Sequence, residues 1–225
     1  MPHRIRLLVV VLAVLLVAGL GVIGWMITHR SAGQGGADAL RGAHGAAFVP
    51  FSVSFSLRDA EGRQRTLDDF ASPWRLIYFG YSYCPDVCPT ELAKMARALS
   101  LFEQQAGKQA RRAVVPIFIT IDPERDSPAR LAEYLAGFGA DFVGLTGSQT
   151  EIAAAARSFG VHYARSSEGD ADPDAYLMEH SSLIFLVDAR GRVVDLFTTR
   201  ETPATIATRL RHHVSGDRGT DVRDG

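Results

Sequence analysis

Cysteine is nearly absent: the 225 residues hold two, Cys84 and Cys88. A bridge between neighbours so close would close almost no loop, which excludes a disulfide-stapled scaffold. The pair is therefore chemical before it is structural. Lysine is as scarce, Lys94 and Lys108 standing alone among 24 basic residues, and no mechanism follows from the arginine bias. Neither sign of charge prevails. A formal net charge of −1 offers no bulk attraction to nucleic acid or anionic lipid, and no nucleic-acid partner is expected. No internal repeat is visible. What remains is length for one ordinary domain with a full core and some flanking sequence.

One long apolar run stands out. His3, Arg4 and Arg6 precede an uncharged stretch from Leu7 to Thr28, which His29 and Arg30 close. At ~1.5 Å per residue this is about long enough to cross ~30 Å of hydrocarbon as a helix. Trp25 sits near its far end, where an interfacial aromatic belongs. A cleaved signal peptide, with its apolar core ending near Val17 and cleavage after Gly19, is the competing reading. The continued apolar stretch from Leu20 to Ile27 argues against it. Residues 1–6 are thus expected to be a cytoplasmic N-terminus and residues 7–28 a single transmembrane anchor. The basic residues before the span favour an exported remainder. Residues 29–48, rich in Gly and Ala and without periodicity, read as a flexible tether with a reach of roughly 25 Å.

Residues 49–214 read as one domain. FSVSFSL from Phe51 alternates as a half-buried strand does, and Asp59 to Gly62 turn it back. Arg75 to Gly80 and Val114 to Ile121 are nearly continuous apolar runs, as in strands covered on both faces. Thr90 to Gln105 carries helical spacing through Leu92, Met95, Leu99 and Phe102. Ser127 and Pro128 open a helix as N-cap and first-turn proline. Phe142 to Leu145 is a short strand. Ser148 and Glu151 form a capping box for a helix from Gln149 to Phe159, which Gly160 ends. Leu183 to Val187 and Val193 to Phe197 pair as a hairpin, and Thr202 with Pro203 caps a last helix through Ile206, Leu210 and Val214. Residues 215–225 read as a polar, disordered tail. Strands and helices in this order predict an α/β sandwich with a mixed central sheet.

The informative stretch is Phe79-Gly-Tyr-Ser-Tyr-Cys84-Pro-Asp-Val-Cys88-Pro-Thr-Glu-Leu92. It follows a buried strand and opens a helix, so orphan backbone N–H groups and the helix dipole favour thiolates there. At i and i+4 of a helical turn the two sulfurs would project from one face. FGYSYCPDVCPTEL resembles the C-P-D-x-C-P motif of the Sco (SenC) family of copper chaperones serving cytochrome c oxidase. Ile121-Asp122-Pro123-Glu124-Arg125-Asp126 and His180-Ser181-Ser182 resemble the family in the right order. Ser82 stands where the family usually has Thr, and Glu179 where Asp is common; neither departure removes a ligand.

The resemblance implies a thioredoxin-like fold and one copper ion per chain, Cu(I) or Cu(II), held by Cys84, Cys88 and His180. Two thiolates suit Cu(I), and an imidazole completes a three-coordinate site that also accepts Cu(II). Structural zinc wants four ligands, and the chain has no third cysteine. The implied partners are an upstream periplasmic copper donor, the copper-receiving subunit of cytochrome c oxidase, and the membrane through the N-terminal helix. The implied place is the bacterial cytoplasmic membrane, with the copper domain on its extracytoplasmic side. The chain is then a metallochaperone and not an enzyme. A thiol–disulfide oxidoreductase that keeps a client's cysteines reduced is the alternative, through the redox-active pair Cys84 and Cys88. His180 separates the two, because a dithiol exchanger has no need of it. A peroxiredoxin-type peroxidase is excluded, since Tyr81 stands where that chemistry needs Thr. Among further groups, Met178 reads as packing, Asp86 as a neighbour that tunes the thiolates or stays solvated, and His162 as structural. Asp122 to Asp126 reads as a turn and helix entry, with an Asp122–Arg125 pair near the cysteines as the other choice.

Overall fold

The structure, a computed structural model, describes residues 50–70, 74–139, 141–166 and 176–217. The expected N-terminus, anchor and tether over residues 1–48 lie outside the described residues. Among the described residues no helix is long and apolar enough to cross a membrane.

Apolar periodicity becomes a six-stranded mixed sheet. In chain order its members are β1 (Phe51–Ser52), β4 (Trp74–Gly80), β5 (Val114–Thr120), β6 (Val143–Leu145), β9 (Ile184–Val187) and β10 (Arg192–Phe197). Across the sheet they run β1-β10-β9-β4-β5-β6. β4, β5 and β6 are parallel; β9, β10 and β1 join antiparallel on the other side. β4 is buried along its whole length, as a strand covered on both faces must be. Its one charged residue, Arg75, donates to the carbonyls of Leu67 at 2.7 Å and Asp188 at 3.0 Å. The register of β10 against β9 breaks between Val193 and Asp195.

The FSVSFSL segment is not one strand. β1 joins the central sheet, whereas β2 (Ser56–Arg58) pairs with β3 (Gln64–Thr66) as a separate hairpin. The alternation still fixes burial: Val53, Phe55 and Leu57 enter the core while Ser52, Ser54 and Ser56 face out. Periodicity sets which side chains go in, not which strand their backbone pairs with.

The helices are α1 (Val87–Ala106), α2 (Lys108–Arg112), α3 (Pro128–Ala136), α4 (Gln149–Phe159) and α5 (Pro203–Asp217). Each expected cap forms. Ser127 Oγ accepts the Arg130 N–H, Ser148 and Glu151 close a reciprocal box, and Gly160 ends α4 at φ +67°. Thr202 Oγ1 accepts the Thr205 N–H at 3.2 Å. α5 runs to Asp217, past Ser215 where the polar tail was expected to begin; the rest of that tail lies outside the described residues. α1 packs on α5. The Tyr78 face of β4 meets α1, and Phe79, on the opposite face, packs edge-on against Phe159 of α4 at 5.1 Å.

A second short ribbon stands outside the central sheet. β7 (Tyr163–Arg165) pairs antiparallel with β8 (Met178–His180), Tyr163 opposite His180.

Candidate metal centre

β4 ends at Gly80, and the chain turns at once, Cys84 N–H donating to the Tyr81 carbonyl at 3.3 Å. Cys84 lies in this turn, not in a helix. Asp86, at φ −140° and ψ −69°, is neither helical nor extended, and α1 begins at Val87. The expected helical i,i+4 relation between the cysteines is therefore corrected. The sulfurs approach because the turn folds Cys84 over the start of α1, where the free Cys88 N–H donates to Cys84 Sγ at 3.4 Å. Pro89 costs nothing in the first turn, where its missing N–H would be unpaired.

Gly80 makes room for this. A Cβ there would lie 2.8 Å from Cys88 Sγ and 3.0 Å from both the Phe118 and Tyr78 rings. Asp126 braces the turn from β5's side. Its carboxylate accepts the Ser82 N–H at 3.0 Å, the Ser82 hydroxyl at 2.5 Å and the Thr120 hydroxyl at 2.6 Å. Burial pushes the Asp126 carboxyl above its ordinary range, and these bonds pull the other way. Helix entry belongs to Ser127; Asp126 is a buried brace.

His180 arrives on β8. Its ring lies edge-on between Tyr78 and Tyr81, each 6.1 Å away. Nδ1 is 3.2 Å from the Ser181 carbonyl, which can only accept, so the proton belongs on Nδ1. Nε2 is thereby left with its lone pair facing the sulfurs, 3.4 Å from Cys88 Sγ. Cys84 Sγ, Cys88 Sγ and a His180 ring nitrogen all lie within 4.8 Å of one another. The three expected site residues are brought together.

The two thiols are unequal. Cys88 is inaccessible and Cys84 is 8% exposed. The hydrogen bond from the Cys88 thiol is the main cause that holds the Cys84 thiol far below its usual range. The backbone N–H groups of Cys88 and Asp86 add to it, against burial. The same bond, with burial, pushes the Cys88 thiol up. The opposite directions favour one proton shared by the pair, with the negative charge on the outer sulfur. Tyr78 Oη stands 3.8 Å from Cys88 Sγ, and burial pushes its hydroxyl up as well.

The neighbouring groups divide plainly. Met178 donates its backbone N–H to Tyr81 Oη at 3.2 Å. His162 is exposed; its carbonyl accepts the Ser181 N–H at 3.0 Å and its own N–H donates to the Ser181 hydroxyl at 3.3 Å. Asp86 is exposed at the head of α1. His213 pairs with Asp195 at 3.0 Å, and His3, His29 and His44 lie outside the described residues. Asp122 and Arg125 do pair, at 2.6 Å. Sequence reasoning missed Gly80, Tyr78, Tyr176 and the buried Glu91. Glu91 is the plainest omission: a carboxylate 1% exposed, bonded to Lys94 Nζ at 2.7 Å.

An α/β sandwich that sets a buried thiol pair and an imidazole at a strand-to-helix turn defines a thioredoxin-like domain with a soft-metal donor set. The chain belongs to the SCO1/SenC family, whose model matches residues 45–215. It is 40% identical over 154 residues to Protein sco1 of Schizosaccharomyces pombe, which covers 68% of this chain and 57% of that relative. The chain spans little more than half of such relatives, 56% and 60% of the mitochondrial SCO2 homologs of Danio rerio and Bos taurus. Among solved structures, Arabidopsis thaliana ScoI with copper bound is 33% identical, with a TM-score of 0.64 over 75% of this chain and 98% of that one. Bradyrhizobium japonicum ScoI with copper bound is 36% identical, with a TM-score of 0.62 over 72% and 98%.

Proposed function

We propose that the chain binds one copper ion through Cys84, Cys88 and His180 Nε2 and hands it on. The observation that carries this is the convergence of two sulfurs and a ring nitrogen within 4.8 Å, with the imidazole tautomer already set. The structures of two similar proteins with copper bound support it. Thiolates select a soft ion, and three donors leave a coordination position open to a partner's ligand. Exchange enters from the Cys84 side, where the less deeply buried sulfur carries the charge; Cys88 holds the ion from beneath. The motif's resemblance points to an upstream extracytoplasmic donor and to the dinuclear copper site of a cytochrome c oxidase subunit as receiver. A retained anchor over residues 7–28 would hold this head near a membrane-bound client at high effective concentration; that reading rests on the length and flanking charge of the apolar run. The test is copper content of the reduced protein after gel filtration. One ion per chain is expected for wild type, none for Cys84→Ala or Cys88→Ala, and weakened binding with an altered Cu(II) thiolate band for His180→Ala. Full copper retention by both cysteine variants refutes the site.

The depressed Cys84 thiol beside a protonated Cys88 also fits thiol–disulfide exchange, with Cys84 attacking and Cys88 resolving. A His180→Ala protein that loses copper and its cellular role together, yet still exchanges disulfides, favours the metal reading.

A further inference from the structure

The cysteines are set by the central sheet and α1, but His180 is not. It rides on the β7–β8 ribbon, which, among the described residues, shares no strand pairing with the central sheet or the β2–β3 hairpin. Something must fix the ribbon's distance from the thiols, since ligand sites tolerate only a few tenths of an ångström.

We infer that the segment after β5, Asp122 to Asp126, is the gauge that sets the spacing between the thiol pair and His180. Its two ends hold the two halves of the site. Asp126 grips the cysteine turn through Ser82. Asp122 Oδ1 accepts the Tyr176 hydroxyl at 2.6 Å, and Tyr176 lies two residues before β8. Arg125 locks the same joint three ways: Nε on Asp122 at 2.6 Å, Nη1 on the Tyr176 carbonyl at 3.0 Å, and its guanidinium stacked 3.5 Å over the Tyr176 ring. Arg165 of β7 stacks on that ring too, at 3.6 Å, which ties the ribbon's other strand to the joint. Tyr176 is buried although the ribbon it leads into is partly exposed. Tyr176 and Arg125 are thus positioning residues: they touch no metal donor and act through His180.

The inference rests on His180 as a ligand, and its test separates the two claims. Tyr176→Phe keeps the ring and removes the hydroxyl bond. In metal-free full chain, amide hydrogen exchange across Met178 to His180 should speed up while α1 stays protected; unchanged exchange at β8 overturns the gauge. With added Cu(II), Tyr176→Phe should weaken binding by about tenfold, the scale of one lost bond to a charged group, and shift the thiolate band towards that of His180→Ala. On the His180→Ala background it should change nothing further. An equal loss on both backgrounds overturns a role through His180. A His180→Ala protein with wild-type band and affinity refutes the ligand set instead, and exchange at β8 then still decides the gauge. Arg125→Lys, which keeps charge but not the stack, should repeat the exchange result.

Discussion

Replacing Gly80 by alanine places a methyl group 2.8 Å from Cys88 Sγ and 3.0 Å from the Phe118 and Tyr78 rings. Relaxed contacts lie near ~3.5–4.0 Å, so the sulfur and rings must retreat by roughly 1 Å. Overpacking of this kind costs ~1–3 kcal/mol. For a domain of this size that lowers Tm by about 2–10 °C and leaves the protein folded. The sulfur is affected more than the fold. A displacement of ~1 Å exceeds what a metal site tolerates, and copper affinity should fall by about tenfold to a hundredfold. Chelator competition for Cu(I), beside calorimetry on the same samples, measures both. Gly144→Ala is the control. Its Cβ would meet Leu135 Cδ1 at 2.8 Å and Leu131 Cβ at 3.2 Å, under α3 and away from the sulfurs. It should lower Tm and spare copper. A folded Gly80→Ala protein that holds copper as tightly as wild type refutes the reasoning.

Two further outcomes follow from the thiols and from Glu91. Because Cys84 is already a thiolate and Cys88 a thiol, Cu(I) binding near pH 7 should release about one proton per ion, read with an indicator dye in weak buffer. Release of two protons would show that the pair does not share its charge in this way. Lys94→Ala strips the buried Glu91 of its cation and should cost ~3–5 kcal/mol in urea unfolding, with much of it recovered by adding Glu91→Gln. A loss below ~1 kcal/mol would mean that solvent reaches the carboxylate.

The sequence was most legible where chemistry is local. Caps at Ser127 and Ser148 and the apolar runs of β4 and β5 depend on residues a few positions apart, and all formed. The meeting of Cys84, Cys88 and His180 was legible because a long motif carried it, although the helical i,i+4 argument for the two sulfurs was not how the turn is built. Less legible was whatever depends on which distant segments meet. Asp126 suits a helix entry by local rules, and only the approach of Ser82, 44 positions away, makes it a brace. Tyr176 reads as a loop aromatic until Asp122 and Arg125 are placed beneath it. Gly80 carries no local signal at all, because the sulfur that needs its empty space comes from the next element.

The short margins of the central sheet limit how anything can meet this protein. β1 offers two residues and β6 three. Beyond β1 the register break kinks β10, and Arg209 Nη2 sits on the Leu196 carbonyl at 3.3 Å. Beyond β6, Pro116 has no N–H to give, and Arg111 Nη1 takes the Val114 carbonyl at 2.9 Å. A strand from a second chain would find few rungs on either side, so polymerisation by sheet extension is discouraged even where many copies crowd together. Recognition is thereby pushed to the loop end of the sheet, where the cysteine turn emerges. There a visitor must read side chains and donor atoms instead of backbone, and a wrong visitor has little to hold on to.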